Sequence, residues 1–181
     1  NKPTVDFEPL YDKNGELRNE TRTTIYWGVF EGGFGTSYGN WNIWHCGARN
    51  DIAQLQIPES FEQSFGTEIQ HLGVLLTSHS MKLRMPNQNV LVNNSTEGLD
   101  RIVANSATDS SYVLVYNPNG MAFDVNLDYV KSSSIRFHWF NPRTGEIDKR
   151  GEFMRKKATH TFVPPSQGDT FTGHDWILIL D

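Results

Sequence analysis

Near residue 80 the repeat of apolar side chains changes from the period of a helix to that of a strand, so two differently built parts are expected. Before that point Ile25, Val29 and Phe30 share one helical face. It follows Asn19-Glu20-Thr21 and stops at Gly32-Gly33. Phe61, Phe65, Ile69, Leu72, Leu75 and Leu76 form a second helical stripe, with Ser60 and Gln63 spaced as a capping box. Both stripes are expected to face a core. Lys2 to Tyr11 reads as a short apolar strand closed by Glu8 and Pro9. Phe34 to Tyr38 reads as a second, buried strand, and Gly39 to Pro58 as a long polar and aromatic loop. The predicted order is strand, helix, strand, loop, helix.

Beyond residue 80 the strand signals run almost without a break, from Asn89–Val92 and Arg101–Ala104 to Trp176–Leu180. Tyr112–Tyr116 and Met121–Leu127 flank Asn117-Pro118-Asn119-Gly120, whose Asn-Gly pair tolerates positive φ and predicts a hairpin. Ile135, Phe137 and Trp139 alternate with Arg136 and His138. Asn141-Pro142-Arg143-Thr144-Gly145 then turns the chain toward Glu146–Met154, and Thr159–Val163 follows. About seven or eight strands with turns at this spacing predict an antiparallel β-sandwich. Trp139 and Trp176 are expected in its core.

The charge balance excludes some partners. Sixteen basic against twenty-one acidic residues give a net charge of −5, which argues against holding nucleic acid by phosphate neutralisation. Arg150 to Lys157 is basic but broken by Gly151, Glu152, Phe153 and Met154, and reads as a solvated hairpin. No run of about 18 apolar residues could span a membrane. Cys46 is the only cysteine, so no internal disulfide is expected. Asn19, Asn93 and Asn94 begin Asn-x-Ser/Thr triplets that are compatible with secretion.

His45, His71, His79, His138, His160 and His174 are scattered without metal-ligand spacing, so neither a metal nor a cofactor is expected. Gly32-Gly33-Phe34-Gly35 lies after a helix and before a strand, where it ends the helix and does not cradle phosphate.

Lys2-Pro3, Phe7-Glu8-Pro9, Tyr11, Arg22, Tyr26-Trp27, Gly32, Gly35-Thr36-Ser37-Tyr38-Gly39 and Ile43-Trp44 occur in an order that resembles the end of the apiosidase-like glycoside hydrolase barrel. Tyr112–Tyr116, Trp139-Phe140-Asn141-Pro142-Arg143-Thr144-Gly145, Phe162-Val163-Pro164-Pro165 and Asp175–Leu180 resemble the β domain that follows that barrel, a domain named for collagen binding. The implied fold class is α/β plus all-β. Residues 1–80 would supply the last two strand-helix units of a TIM-type (β/α)₈ barrel, and residues 81–181 an antiparallel β-sandwich.

The resemblance further implies a retaining-type glycosidase in which Glu8 closes the seventh strand as one of two catalytic carboxylates. Such a pair needs a protonated partner about 5–5.5 Å from the nucleophile. In related barrels that acid lies near the end of the fourth strand, upstream of this chain's first residue. A whole barrel needs about 250 residues. The chain is therefore expected to be the C-terminal piece of a larger protein, inactive alone, whose N-terminal barrel portion is a missing segment or a second chain.

Tyr38, Asn40, Trp41, Trp44 and His45 follow the final barrel strand and have the chemistry of a glycan subsite, since rings stack on sugar C–H faces and amides bond hydroxyls. Asp6 is a candidate holder for an arginine such as Arg22, for which a helix-face ion pair is the plainer role. The expected function is a secreted, cell-surface or periplasmic glycoside hydrolase acting on polysaccharide or glycan side chains. A non-catalytic carbohydrate- or protein-binding module, or a structural protein reusing the glycosidase fold, stays open as the alternative.

Overall fold

The computed structural model describes residues 3–13, 17–45, 61, 65–92 and 97–181. Cys46, the Ser60/Gln63 capping box, the Asn93 and Asn94 triplets and most of the loop to Pro58 lie outside the described residues. The fold is mixed and rich in sheet, with few helices and mainly antiparallel pairing.

Strand β1 (Val5–Asp6) leads to helix α1 (Arg18–Phe30), then β2 (Gly35–Thr36), the single turn α2 (Trp41–Trp44) and helix α3 (Phe65–Thr77). β1 and β2 pair in parallel, Val5 opposite Gly35 and Asp6 opposite Thr36. The buried strand expected over Phe34–Tyr38 is thus shorter and more open than its sequence implied. β2 pairs only with β1 among the described residues, and Phe34 is 77% exposed. Phe61 is likewise 71% exposed, although Leu72 and Leu75 of the same stripe are buried.

The remaining strands are β3 (Arg84–Pro86), β4 (Leu91–Val92), β5 (Val103–Ala107), β6 (Val113–Asn117), β7 (Phe123–Asn126), β8 (Ser134–Phe140), β9 (Ile147–Met154), β10 (Thr159–Phe162) and β11 (Trp176–Leu180). Six of them form an antiparallel sheet in the order β3-β5-β6-β11-β8-β9, and three form a sheet in the order β10-β7-β4.

The central strands β5, β6 and β11 of the large sheet are buried on both faces, which explains why they are rich in apolar residues. In β11, Trp176, Leu178 and Leu180 enter a core shared with Phe123, Val125 and Phe162 of the small sheet. Ile177 and Ile179 point the other way, into a core built with Ile25, Tyr26, Val29 and Phe30 of α1 and Leu72 and Leu75 of α3. Each such fully buried side chain contributes about 1.5–3 kcal/mol. Trp139 and Trp176 are both buried, as expected.

Helix α1 is pinned to this sheet through its carboxyl terminus as well as its apolar face. The last carbonyls of α1 have no intrahelical donors. Phe30 accepts from Asn105 Nδ2 at 2.5 Å and Val29 from Arg84 Nη1 at 3.0 Å.

The β8–β9 hairpin forms where Asn141–Gly145 predicts it. Asn141 N–H donates to the Glu146 carbonyl and Gly145 N–H to the Asn141 carbonyl, both at 2.8 Å, with Gly145 at φ +74°. The hairpin expected at Asn117–Gly120 does not form, because β6 joins the large sheet and β7 the small one. The turn itself is real. Asn117 Oδ1 accepts from the Asn119 and Gly120 N–H groups at 3.2 and 2.9 Å, and Gly120 has φ +69°. A Cβ at Gly120 would lie 1.9 Å from the Ser166 carbonyl, so this crossing between sheets requires glycine.

Candidate functional site

Parallel pairing puts the carboxyl ends of β1 and β2 on the same side, which is where open α/β sheets place ligand sites. The segment after β1 carries Glu8 and Tyr11, and the segment after β2 carries α2. Backbone and side-chain bonds hold the two together. Ser37 N–H donates to the Asp6 carbonyl at 2.9 Å and Ser37 Oγ to the Phe7 carbonyl at 2.6 Å. Asp12 N–H donates to Gly39 at 2.9 Å, and Trp41 N–H to Asp12 at 3.0 Å.

A cavity of about 380 Å³ opens between these segments, lined by Glu8, Tyr11, Trp41, Trp44 and His45. The Trp41 and Trp44 rings are stacked with centroids 6.1 Å apart. Tyr11 meets both edge-on at 6.1 and 6.2 Å, and His45 meets both at 4.3 and 4.4 Å. Trp44 is 60% exposed, so its ring is offered to solvent and does not fill a core. Lys13 Nζ stands 5.1 Å from the Trp41 ring centroid.

Glu8 is exposed, and its backbone N–H is held by Asp6 Oδ1 at 3.1 Å. Asp6 thus serves this loop and is paired with no arginine among the described residues.

Tyr38 and Asn40 do not line the cavity. Asn40 is buried and caps α2, its Oδ1 accepting from Asn42 and Ile43 N–H at 3.0 and 3.2 Å. Tyr38 donates to Asp12 Oδ2 at 3.1 Å, and burial pushes its hydroxyl pKa up to about 12, so it stays protonated. Their amide and hydroxyl are occupied in building the site.

Tyr11, quoted above for the family resemblance but not as a sugar-binding candidate, also lines the cavity. A Cβ at Gly39 would come within 2.7 Å of the Tyr11 ring, so glycine lets that ring lie against the backbone.

Arg22 makes the ion pairs expected of it, but in the interior. It is fully buried, not on an open helix face. It donates through Nε and Nη2 to Asp175 at 2.8 Å each, through Nη1 to Glu68 at 2.6 Å and through Nη2 to Asn19 at 2.8 Å. Asp175 also accepts from Arg143 at 2.8 Å and from Tyr116 at 3.2 Å. Burial pushes the Asp175 carboxyl up, but the hydrogen bonds and charge of Arg22 outweigh it and hold the group below the usual carboxylate range. The Asn19 side chain of the first glycosylation triplet is engaged by this arginine.

Among the described residues no group of three or more His, Cys, Asp or Glu side chains is placed to hold a metal ion. No helix of the described residues is long and apolar enough to cross a membrane. The cavity can therefore present one carboxylate and an aromatic wall to a ligand. Glycosidic cleavage by a carboxyl pair needs a second acid, and among the described residues Glu8 is the only carboxylate on this lining.

Two family models match the chain. Residues 85–181 match one described as "Putative collagen-binding domain of a collagenase". Residues 1–83 match one described as "Apiosidase-like, catalytic domain". Among solved structures, one titled "Glycoside hydrolase" is 25% identical with a TM-score of 0.85 over 99% of this chain and 42% of its own. A glycoside hydrolase family 5 protein from Bacteroides vulgatus ATCC 8482 is 24% identical with a TM-score of 0.83, over 99% of this chain and 41% of its own. The chain thus spans about two fifths of the solved proteins it resembles. No curated protein matches it.

Proposed function

The chain belongs to the family whose model covers its residues 85–181, and its first 83 residues match an apiosidase-like catalytic domain; on that basis we propose that it is part of a glycoside hydrolase. Residues 1–80 contribute the last two strand-helix units of a (β/α)₈ barrel, and residues 81–181 form an antiparallel β-sandwich braced against it. The substrate is a polysaccharide or glycan side chain, met outside the cell or in the periplasm.

Glu8 acts as the nucleophile of a retaining mechanism. It attacks the anomeric carbon while a protonated carboxyl from the N-terminal barrel portion, about 5–5.5 Å away, gives its proton to the leaving oxygen. The same partner, now a carboxylate, then takes a proton from the water that releases the sugar. Tyr11, Trp41 and Trp44 present ring faces and edges to the sugar C–H groups, and His45 offers a ring nitrogen to a hydroxyl.

The observation that carries this reading is the position of Glu8 after a parallel strand, on a cavity walled by three aromatic side chains. The test is Glu8→Gln in the full-length protein, assayed for reducing ends released from polysaccharide. Cleavage should be lost while the thermal midpoint stays with the parent, and unchanged cleavage removes Glu8 from the mechanism. The single carboxylate on the lining also suits a non-catalytic sugar-binding module. In that case the full-length parent binds glycan without cleaving it.

A further inference from the structure

A second cavity, of about 470 Å³, lies far from Glu8 in sequence, where the outer strand of the large sheet, β9, meets the outer strand of the small one, β10. Its apolar wall includes Leu127, Phe153, Met154 and His160, and its rim carries Lys156 and Lys157. The His160 and Phe153 rings are stacked at 4.3 Å with an interplanar angle of 19°, and Phe162 stands edge-on to His160 at 4.7 Å. This platform continues the inter-sheet core, against which Phe153 and Phe137 also pack.

The connection bearing the lysines is fixed on both sides. Arg155 donates its N–H to the Ser133 carbonyl at 2.8 Å and Nη1 to the carbonyls of Leu127 and Val130 at 3.0 and 3.2 Å. Ala158 accepts from Leu127 N–H at 2.6 Å. Between these anchors Lys156 and Lys157 are exposed, and neither is paired with a carboxylate among the described residues. Nearby acids are engaged elsewhere: Glu152 with Ser134, Asp124 with Thr161, and Asp128 facing Arg155 at 3.8 Å. Two exposed cations with no carboxylate partner among the described residues thus border the aromatic wall.

The geometry points to a binding site for an anionic sugar unit of a glycan. The ring face of that unit lies against His160 and Phe153, and its carboxylate or sulfate meets Lys156 and Lys157. Volume favours a sugar over a protein partner. The cavity is within the usual range for small-ligand pockets, about 300–1,000 Å³. A stable protein interface needs about 800 Å² from each partner, far more than one such cleft offers. The site does not depend on the role of Glu8.

The test is calorimetric titration of the full chain with uronic-acid tetrasaccharides of gluco, galacto and manno configuration. Matched neutral and sulfated tetrasaccharides and an acidic tetrapeptide complete the panel. A carboxylated or sulfated sugar should bind about tenfold or more tightly than its neutral counterpart, and the tighter of the two identifies the anion. Lys156→Gln/Lys157→Gln should remove that preference with an unchanged circular dichroism spectrum, His160→Ala should weaken binding, and Glu8→Gln should leave it intact. Equal binding of neutral sugar, equal binding of the peptide, no binding of either anionic set, indifference to the lysine substitutions, or loss on Glu8→Gln each overturns the proposal.

Discussion

Replacing Arg22 by Met removes the one cation that two buried carboxylates share. Glu68 is 5% and Asp175 1% exposed, so neither regains water when the guanidinium goes. Breaking a buried ion pair from one side costs about 3–5 kcal/mol, because the remaining charge stays uncompensated. Here part of the loss is cushioned. Asp175 keeps Arg143 at 2.8 Å and Tyr116 at 3.2 Å, and Glu68 keeps Arg18 at 3.5 Å. The lower end, about 3 kcal/mol, is therefore expected, a large share of the roughly 5–15 kcal/mol that holds a domain together. For a chain of this size that corresponds to a melting temperature lowered by about 6–12 °C, read by scanning calorimetry. Adding Glu68→Gln and Asp175→Asn to the Arg22→Met variant neutralises both stranded charges and should recover part of the drop. A single variant melting within about 2 °C of the parent would refute the argument that this network ties α1 and α3 to the start of β11.

The same network sets an acid limit. Asp175 has a lowered folded pKa, so its contribution is fully present above the ordinary carboxylate range near pH 3.9 and is lost as pH falls through the lower folded value. The melting temperature of Asp175→Asn should accordingly fall less steeply below about pH 4 than that of the parent, and parallel acid limbs contradict the assignment. Asn40→Ala removes the cap of α2 and should cost about 1 kcal/mol in urea unfolding, with a reduced near-ultraviolet signal from Trp41 and Trp44; an unchanged signal would mean that α2 is ordered by other contacts. Trp44→Ala should change stability by no more than about 0.5 kcal/mol because the ring is largely exposed, while weakening glycan retention in affinity electrophoresis of the full-length protein. Retention equal to the parent removes Trp44 from the sugar platform.

Local signals were enough for several elements. The Asn-Pro-Arg-Thr-Gly stretch sets the β8–β9 hairpin, because one backbone reversal with glycine at positive φ is a property of neighbouring residues. The period-2 burial of Ile135 and Trp139, the helical face of Ile25, Val29 and Phe30, and the apolar run Trp176–Leu180 likewise reflect chain geometry that extends only a few residues. Glu8 and the Trp41-x-x-Trp44 pair were also legible as candidates, and the fold brings them onto one cavity.

What neighbouring residues cannot encode is which distant surface each element meets. Asn117–Gly120 has hairpin chemistry, yet β6 pairs with β11, some sixty residues on, and β7 with β10, so the same turn serves a crossing between sheets. Arg22 reads as a helix-surface residue until Glu68 and Asp175, 46 and 153 positions away, close around it. Tyr38 and Asn40 carry the same groups whether they bond a sugar or a backbone, and only the fold directs them inward. Composition and periodicity thus determined most of the elements, because propensity and turn chemistry act over a few bonds. Sheet pairing, buried charge and the lining of the cavities were decided by tertiary packing, where groups far apart in sequence compete for the same partners and the same exclusion from water.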